Sequence, residues 1–364
     1  MRRRWILLVA GFGGIIAILA VARFGPALSL SLALAAPAAE KWVSRVRPEP
    51  VREETAIPAP SGLLRADVYR PQRARGALLL VHGLSRMGRR QPDLARLAGL
   101  LAQHGVLVVV PQFEGLAAFR LDGREVDDVR SALRYTATLD PSSGVAGFSF
   151  GAGPALLAAD EVPGLRVVGS FGGYADLRHV IRYVTTGVHD LDGSRYVQRQ
   201  EPYNRWKLLA LLVGLVESDR DRRILEEVAQ RRLANPADDT SDAEAKLDSG
   251  GRAILALVAN RQDDAVDGLI EQLPVGTREM LRRLSPMSAV SRLSSRVLIA
   301  HGMADESIPF TESLRLAAAA GSRGRLALFE SFHHTGPTPV WSSMWYRAGD
   351  GWRLVRVVDE LLPR

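Results

Sequence analysis

The chain of 364 residues contains no cysteine. That excludes disulfides, cysteine-ligated zinc, iron–sulfur clusters and a thiolate nucleophile. It does not fix the compartment, because exported proteins do without disulfides. Lysine is nearly absent too. Lys41, Lys207 and Lys246 are the only three; arginine carries the rest of the positive charge, and the net charge is +7. The arginines are interleaved with acids, as between Glu217 and Arg223. A phosphate-binding surface needs its cations on one face. The pattern reads instead as a solvated mixed-charge surface, and no nucleic-acid partner is expected. The chain also lacks an internal repeat, an oxidoreductase signature and a phosphate-cradling glycine loop, so no cofactor is expected. Hydrophobic residues make up 47% and charged residues 24%. Those are ordinary globular values, which exclude disorder, collagen and coiled coil for most of the length.

What is present begins with Arg2, Arg3 and Arg4, followed by an uncharged run from Trp5 to Ala22. Such a run is about long enough to cross a bilayer as a helix. The arginines would stay on the cytoplasmic side and send the rest of the chain outward. A second apolar stretch, Phe24 to Ala39, contains Ala33-Leu34-Ala35, a small-residue pattern compatible with signal cleavage. Residues 1–39 are therefore expected to be a membrane anchor or a signal segment. The catalytic domain is expected outside the cytoplasm, either anchored or exported after cleavage. Residues 40–61 carry Pro48, Pro50, Pro58 and Pro60 and read as a linker.

From Leu63 onward strand and helix patterns alternate. Ala77–Val81 and Val106–Val110 are continuous apolar runs, as strands covered on both faces should be. Helical spacing follows at Asp93–His104, Val126–Leu139 and Ala152–Asp160. The alternation predicts a mostly parallel, doubly wound α/β sheet with helices on both faces. It breaks between 177 and 288, where helical patterns appear without a convincing buried strand. It then resumes at Arg296–His301. The expected layout is a core of 62–176 and 289–364 with a helical insertion at 177–288. Within that insertion, Trp206 to Val216 is apolar nearly all round.

The strongest chemical signal is Gly147-Phe148-Ser149-Phe150-Gly151, placed after an apolar strand and before an Ala-rich helix. A serine on so sharp a turn presents its hydroxyl above the sheet edge. Gly147 and Gly151 supply the small positions that the crowded backbone needs. Gly153 would let the following helix approach closely.

In these features the chain resembles the α/β-hydrolase family, over roughly Leu63 to Arg364, with the insertion as the least similar part. His82-Gly83-Leu84 ends a buried strand, as the family's oxyanion loop does. The resemblance implies a serine hydrolase, most plainly a carboxylic-ester hydrolase of lipase or esterase type. Peptidase, thioesterase and non-catalytic binding roles stay open. It implies Ser149 as nucleophile and the backbone N–H groups of Leu84 and Phe150 as the oxyanion hole, with His82 and Gly83 supporting the loop. The acid and base should follow in the order Ser, Asp, His. Asp305, just past the strand that ends near His301, is the expected acid, with Glu306 and Asp176 as fallbacks. Two adjacent histidines offer the base. Phe332 two positions earlier favours His334, and His333 is the alternative. A metal at this pair is not expected, because no carboxylate or third histidine lies nearby in sequence. His104, His179, His189 and His301 read as structural. The partners implied are a small ester or acyl substrate and, through the amino terminus, a membrane. The insertion would form a cap over the site.

Overall fold

The computed structural model describes residues 23–330, 332–333, 336–337 and 344–363. Its centre is an eight-stranded sheet built from β1 (Val51–Ala59), β2 (Gly62–Arg70), β3 (Ala77–Val81), β4 (Leu107–Pro111), β5 (Ser143–Phe148), β6 (Val167–Phe171), β9 (Arg296–Gly302) and β10 (Gly324–Phe329). Their order is β1-β2-β4-β3-β5-β6-β9-β10. β2 is antiparallel to both β1 and β4, and every other pairing is parallel.

The apolar runs explain the layers. In β3 successive side chains alternate between faces. Ala77, Leu79 and Val81 join one core, with the helices Arg124–Leu139 and Ala152–Asp160 and the insertion. Leu78 and Leu80 join the other, with the helices Pro92–Gln103 and Met344–Leu361. All five residues are buried, so the strand reads as one hydrophobic block rather than an alternation.

Two amino-terminal expectations change. Residues 23–35, expected to belong with the membrane segment, are helical and packed on the second core through Ala27, Leu30 and Ala33. Arg23 is ion-paired with Asp359, and Arg96 donates to the Ala33 carbonyl at 2.7 Å. The expected linker, residues 40–61, holds most of the helix Pro37–Val46 and the whole of β1. Proline misled the reading: Pro58 sits in β1, opposite Leu63, and β1 is an edge strand, where the missing N–H costs no ladder bond. Among the described residues no helix is long and apolar enough to cross a membrane. The run from Trp5 to Ala22 lies outside the described residues.

The insertion between β6 and β9 is largely helical, from Leu177–Thr186 through Pro202–Val213 and Asp219–Ala234 to Val275–Arg283. It also holds a hairpin, β7 (Val188–Leu191) with β8 (Ser194–Val197). The turn is Asp192-Gly193, both at positive φ (+49° and +80°), as a type I′ hairpin turn requires. The Asp-Gly pair was the available signal, and the short, half-exposed strands carry too few apolar residues to announce it. Trp206, Leu208, Leu209, Leu211, Leu212, Val213, Leu215 and Val216 are all buried. Most of that apolar segment therefore packs inside the protein.

Candidate active site

The parallel strands put their carboxyl ends along one edge of the sheet. Val81 is in register with Gly147, so His82-Gly83-Leu84 leaves β3 directly beside the turn that leaves β5. Phe148 is in register with Phe171, Phe171 with Ala300, and Gly302 with Phe329. The loops that carry Ser149, Asp305 and the histidine pair thus all emerge from the same edge. Ligands of open α/β sheets bind at that edge.

Ser149 has φ +51°. A left-handed conformation at a non-glycine residue costs on the order of 1–3 kcal/mol and persists only where its surroundings impose it. Here the imposing groups are visible. The chain turns at once into the 3₁₀ segment Ser149–Gly151 and then the helix Ala152–Asp160. A Cβ on Gly147 would lie 2.6 Å from the Gly151 carbonyl oxygen. A Cβ on Gly83 would lie 3.0 Å from both the Ser149 Cβ and the Phe148 carbonyl oxygen. The expected closeness of Gly153 is present as well: a Cβ there would overlap the ring of Tyr174, whose hydroxyl donates to the Leu284 carbonyl at 3.1 Å.

His82 serves the backbone rather than the chemistry. It is buried, and its Nε2 accepts from the Phe113 N–H at 3.0 Å. That bond leaves the proton on Nδ1, which donates to the Gly83 carbonyl at 2.8 Å. Burial holds the imidazole neutral by pushing its pKa down to about 4, against the Gly83 bond, which favours the charged form. The Gly83–Leu84 peptide is trans, so fixing the carbonyl toward His82 turns the Leu84 N–H to the opposite side. Leu84 and Phe150 line one small cavity of about 30 Å³, completed by Val184, Asn204, Lys207, Leu208 and Ser307. The two residues whose backbone is expected to supply oxyanion donors therefore line one space.

This constellation decides the fold. The chain has the α/β-hydrolase fold. Its mark is a strained serine at a strand-to-helix turn, at the carboxyl edge of a mostly parallel sheet, with a largely helical insertion after β6. No family model and no curated protein matches the sequence. Solved structures are similar in shape. The Pyrococcus horikoshii acylaminoacyl peptidase shares 13% identity at a TM-score of 0.48, over 87% of this chain and 41% of that one. A puromycin-hydrolyzing peptidase of Mycobacterium tuberculosis shares 16% at 0.49, over 85% and 38%. An esterase domain from Rhodothermus marinus shares 15% at 0.45, over 85% and 96%. The chain spans about two fifths of the length of the two peptidases.

Within the α/β-hydrolase frame, Asp305 is buried and its Oδ1 accepts from the Ser307 and Ile308 N–H groups at 2.8 and 3.0 Å. Its Oδ2 lies 3.4 Å from His301 Nε2 and faces Gly172 at the end of β6, where a Cβ would be 3.6 Å away. Tyr183 donates its hydroxyl to the Asp305 carbonyl at 2.6 Å. The fallback Asp176 is otherwise engaged: it caps Leu177–Thr186 by accepting from the Arg178 N–H, and it also accepts from the Ser285 hydroxyl. Glu306 offers its carbonyl to Asn204 Nδ2 at 3.1 Å. Phe332 and His333 pair as a short strand with Gly336 and Pro337. His334 lies outside the described residues, as does the side chain of His333.

The remaining histidines are all hydrogen-bonded within the fold. His104 bonds the Leu100 carbonyl and Ser29, His179 bonds Glu312, and His189 bonds Thr311. His301 donates from Nε2 to the Ile308 carbonyl and bonds Ser313 through Nδ1. Among the described residues no group of three or more His, Asp or Glu side chains is placed to hold a metal. The sequence reading missed Asn204 and Lys207 as lining residues. Its only signal for Lys207 was the rarity of lysine.

Proposed function

We propose that the chain is a serine hydrolase acting on carboxylic esters through an acyl-enzyme. The observation that carries this reading is Ser149, held at φ +51° and followed at once by Phe150, which lines one cavity with Leu84. In the proposed reaction His334 accepts the Ser149 hydroxyl proton while Oγ attacks the ester carbonyl carbon. The carbonyl oxygen becomes an oxyanion, stabilised by the N–H groups of Leu84 and Phe150. The imidazolium passes its proton to the departing alkoxide as the C–O bond breaks. Water then attacks the acyl-serine and gives its proton to His334, which returns it to Ser149 Oγ as the acyl–oxygen bond breaks and the acid leaves. Asp305 orients the imidazole and stabilises its charged form.

A fluorophosphonate probe tests the reading. Covalent labelling at Ser149, lost in Ser149→Ala, supports it. No labelling of the folded wild type overturns it. A panel of oxygen esters, thioesters and peptides then ranks the substrates, since one triad serves all three.

We also propose a membrane tether formed by Trp5 to Ala22, with the catalytic domain outside the cytoplasm. Support comes from the uncharged run behind three arginines. It also comes from Phe24, Leu28 and Leu32, which stay exposed on one face of the helical stretch 23–35.

A further inference from the structure

The cap helix Pro202–Val213 supplies a cation to the site. Lys207 lines the small cavity that holds Leu84 and Phe150. It also lines a larger cleft of about 600 Å³ that opens outward from Leu84. Arg86, two residues past Leu84 on the oxyanion loop, lines the same cleft. No carboxylate lines that cleft among the described residues.

Among the described residues, Lys207 and Arg86 take part in no ion pair within 4.0 Å and donate no side-chain hydrogen bond. The contrast with nearby arginines is sharp. Arg120, in the adjoining hollow, reaches Glu226 at 3.4 Å, and Arg222 reaches Asp219 at 2.6 Å. Lys207 is half-buried, its ammonium 4.5 Å over the ring of Tyr203 one helical turn earlier. Burial pushes its pKa below the ordinary lysine value. A half-buried ammonium without a carboxylate costs folding free energy. In a cleft beside a reaction site, such a group is a candidate for binding an anion.

Resting on the serine-hydrolase reading above, we propose that the substrate is an ester with an anionic group, carboxylate or phosphate, held by Lys207 and Arg86 while its carbonyl lies between Ser149 and the N–H groups of Leu84 and Phe150. The anion supplies the counter-charge the protein withholds. The cleft then selects by charge where it is apolar only in part.

The test compares three activated esters of matched length: 4-nitrophenyl valerate, 4-nitrophenyl hemiglutarate and 4-nitrophenyl 4-phosphonobutanoate. The readout is the ratio of kcat/KM for each anionic ester to that for the neutral one. In the wild type the better anionic ester should lead by about tenfold or more, and the lead should shrink with added salt. Which anionic ester leads identifies carboxylate or phosphate. Lys207→Met and Arg86→Met should each collapse the ratio, and Lys207→Arg should restore most of it. A wild-type ratio at or below one, or a ratio unmoved by both Met variants, overturns the proposal. Ser149 labelling separates the two failures. A labelled enzyme with a flat ratio loses only the anion site. If neither labelling nor turnover occurs, calorimetric binding of N-benzylglutaramic acid decides. Binding that weakens in Lys207→Met keeps the anion site without the hydrolase, and no binding removes it.

Discussion

Gly151 lies against the backbone of His82. A Cβ on Gly151 would overlap the His82 carbonyl oxygen, with the carbonyl carbon 2.8 Å away and the Val81 oxygen 2.9 Å away. The turn that presents Ser149 and the loop that presents Leu84 are therefore packed backbone to backbone. The proposed nucleophile and the proposed oxyanion donor are held at one spacing by the absence of a methyl group.

That contact gives the first prediction. Gly151→Ala should destabilise the domain by about 3 kcal/mol, as overpacking against rigid backbone does. Gly83→Ala meets Ser149 and the Phe148 carbonyl at 3.0 Å, where a few tenths of an ångström of movement suffice. It should keep most of the stability and lose roughly 10–100-fold in kcat, because small displacements of reacting groups cost that much. Thermal unfolding beside ester turnover checks both. Equal behaviour of the two variants would refute the distinction.

Ser149→Gly should separate stability from activity. Glycine adopts φ +51° freely, so the variant sheds strain of about 1–3 kcal/mol. Its melting temperature should match or exceed that of the wild type while ester turnover falls by several orders of magnitude. A clear drop in melting temperature would mean that the serine side chain stabilises the turn it strains.

The two histidines should part company. His334→Ala should be crippled and His333→Ala should keep substantial activity, measured with an activated ester. The reverse ranking moves the base to His333 and leaves the chemistry intact. Two mild phenotypes would remove this loop from catalysis.

Acid should unfold the domain through its buried imidazoles. Burial lowers His82 and His104 from 6.5 to about 4. Between those values the unfolded chain binds the protons and the folded chain does not, so stability rises with pH across this window and is lost as pH falls through it. Glu125 works against this slope, since burial raises its carboxyl to about 7 and the folded state then holds its proton. Two histidines outweigh one carboxyl, so denaturant unfolding should show stability falling from pH 6.5 to pH 4. His104→Gln should flatten that fall by up to about one proton. An unchanged slope would show that His104 is protonated without unfolding.

Protease added to intact cells or spheroplasts checks the proposed topology. Digestion of the domain before lysis is expected, and protection until lysis would place it in the cytoplasm.

The sheet was legible because its strands are unbroken apolar blocks, and Ser149 because a glycine pair brackets it between a strand and a helix. The position of Asp305 just past β9 was legible from the apolar run before it. What escaped has physical reasons. Edge strand β1 is exposed along most of its length, with Ile57 its one buried residue, and carries Pro58, so it resembles a linker until Leu64 and its neighbours pair with it. Leu30 and Ala33 looked like lipid-facing residues because a sheet face and a bilayer ask for the same side chains. Lys207 and Asn204 were invisible as site residues, since only the folding of the cap brings them to Leu84 and Phe150.

The helical stretch 23–35 leaves no slack at the amino-terminal side of the domain. Arg23 is clamped to Asp359, Ser29 bonds the buried His104, and Leu30 is fully covered. Force or constraint applied ahead of Arg23 therefore enters the protein through an ordered helix and the helix Met344–Leu361, not through a loose tether.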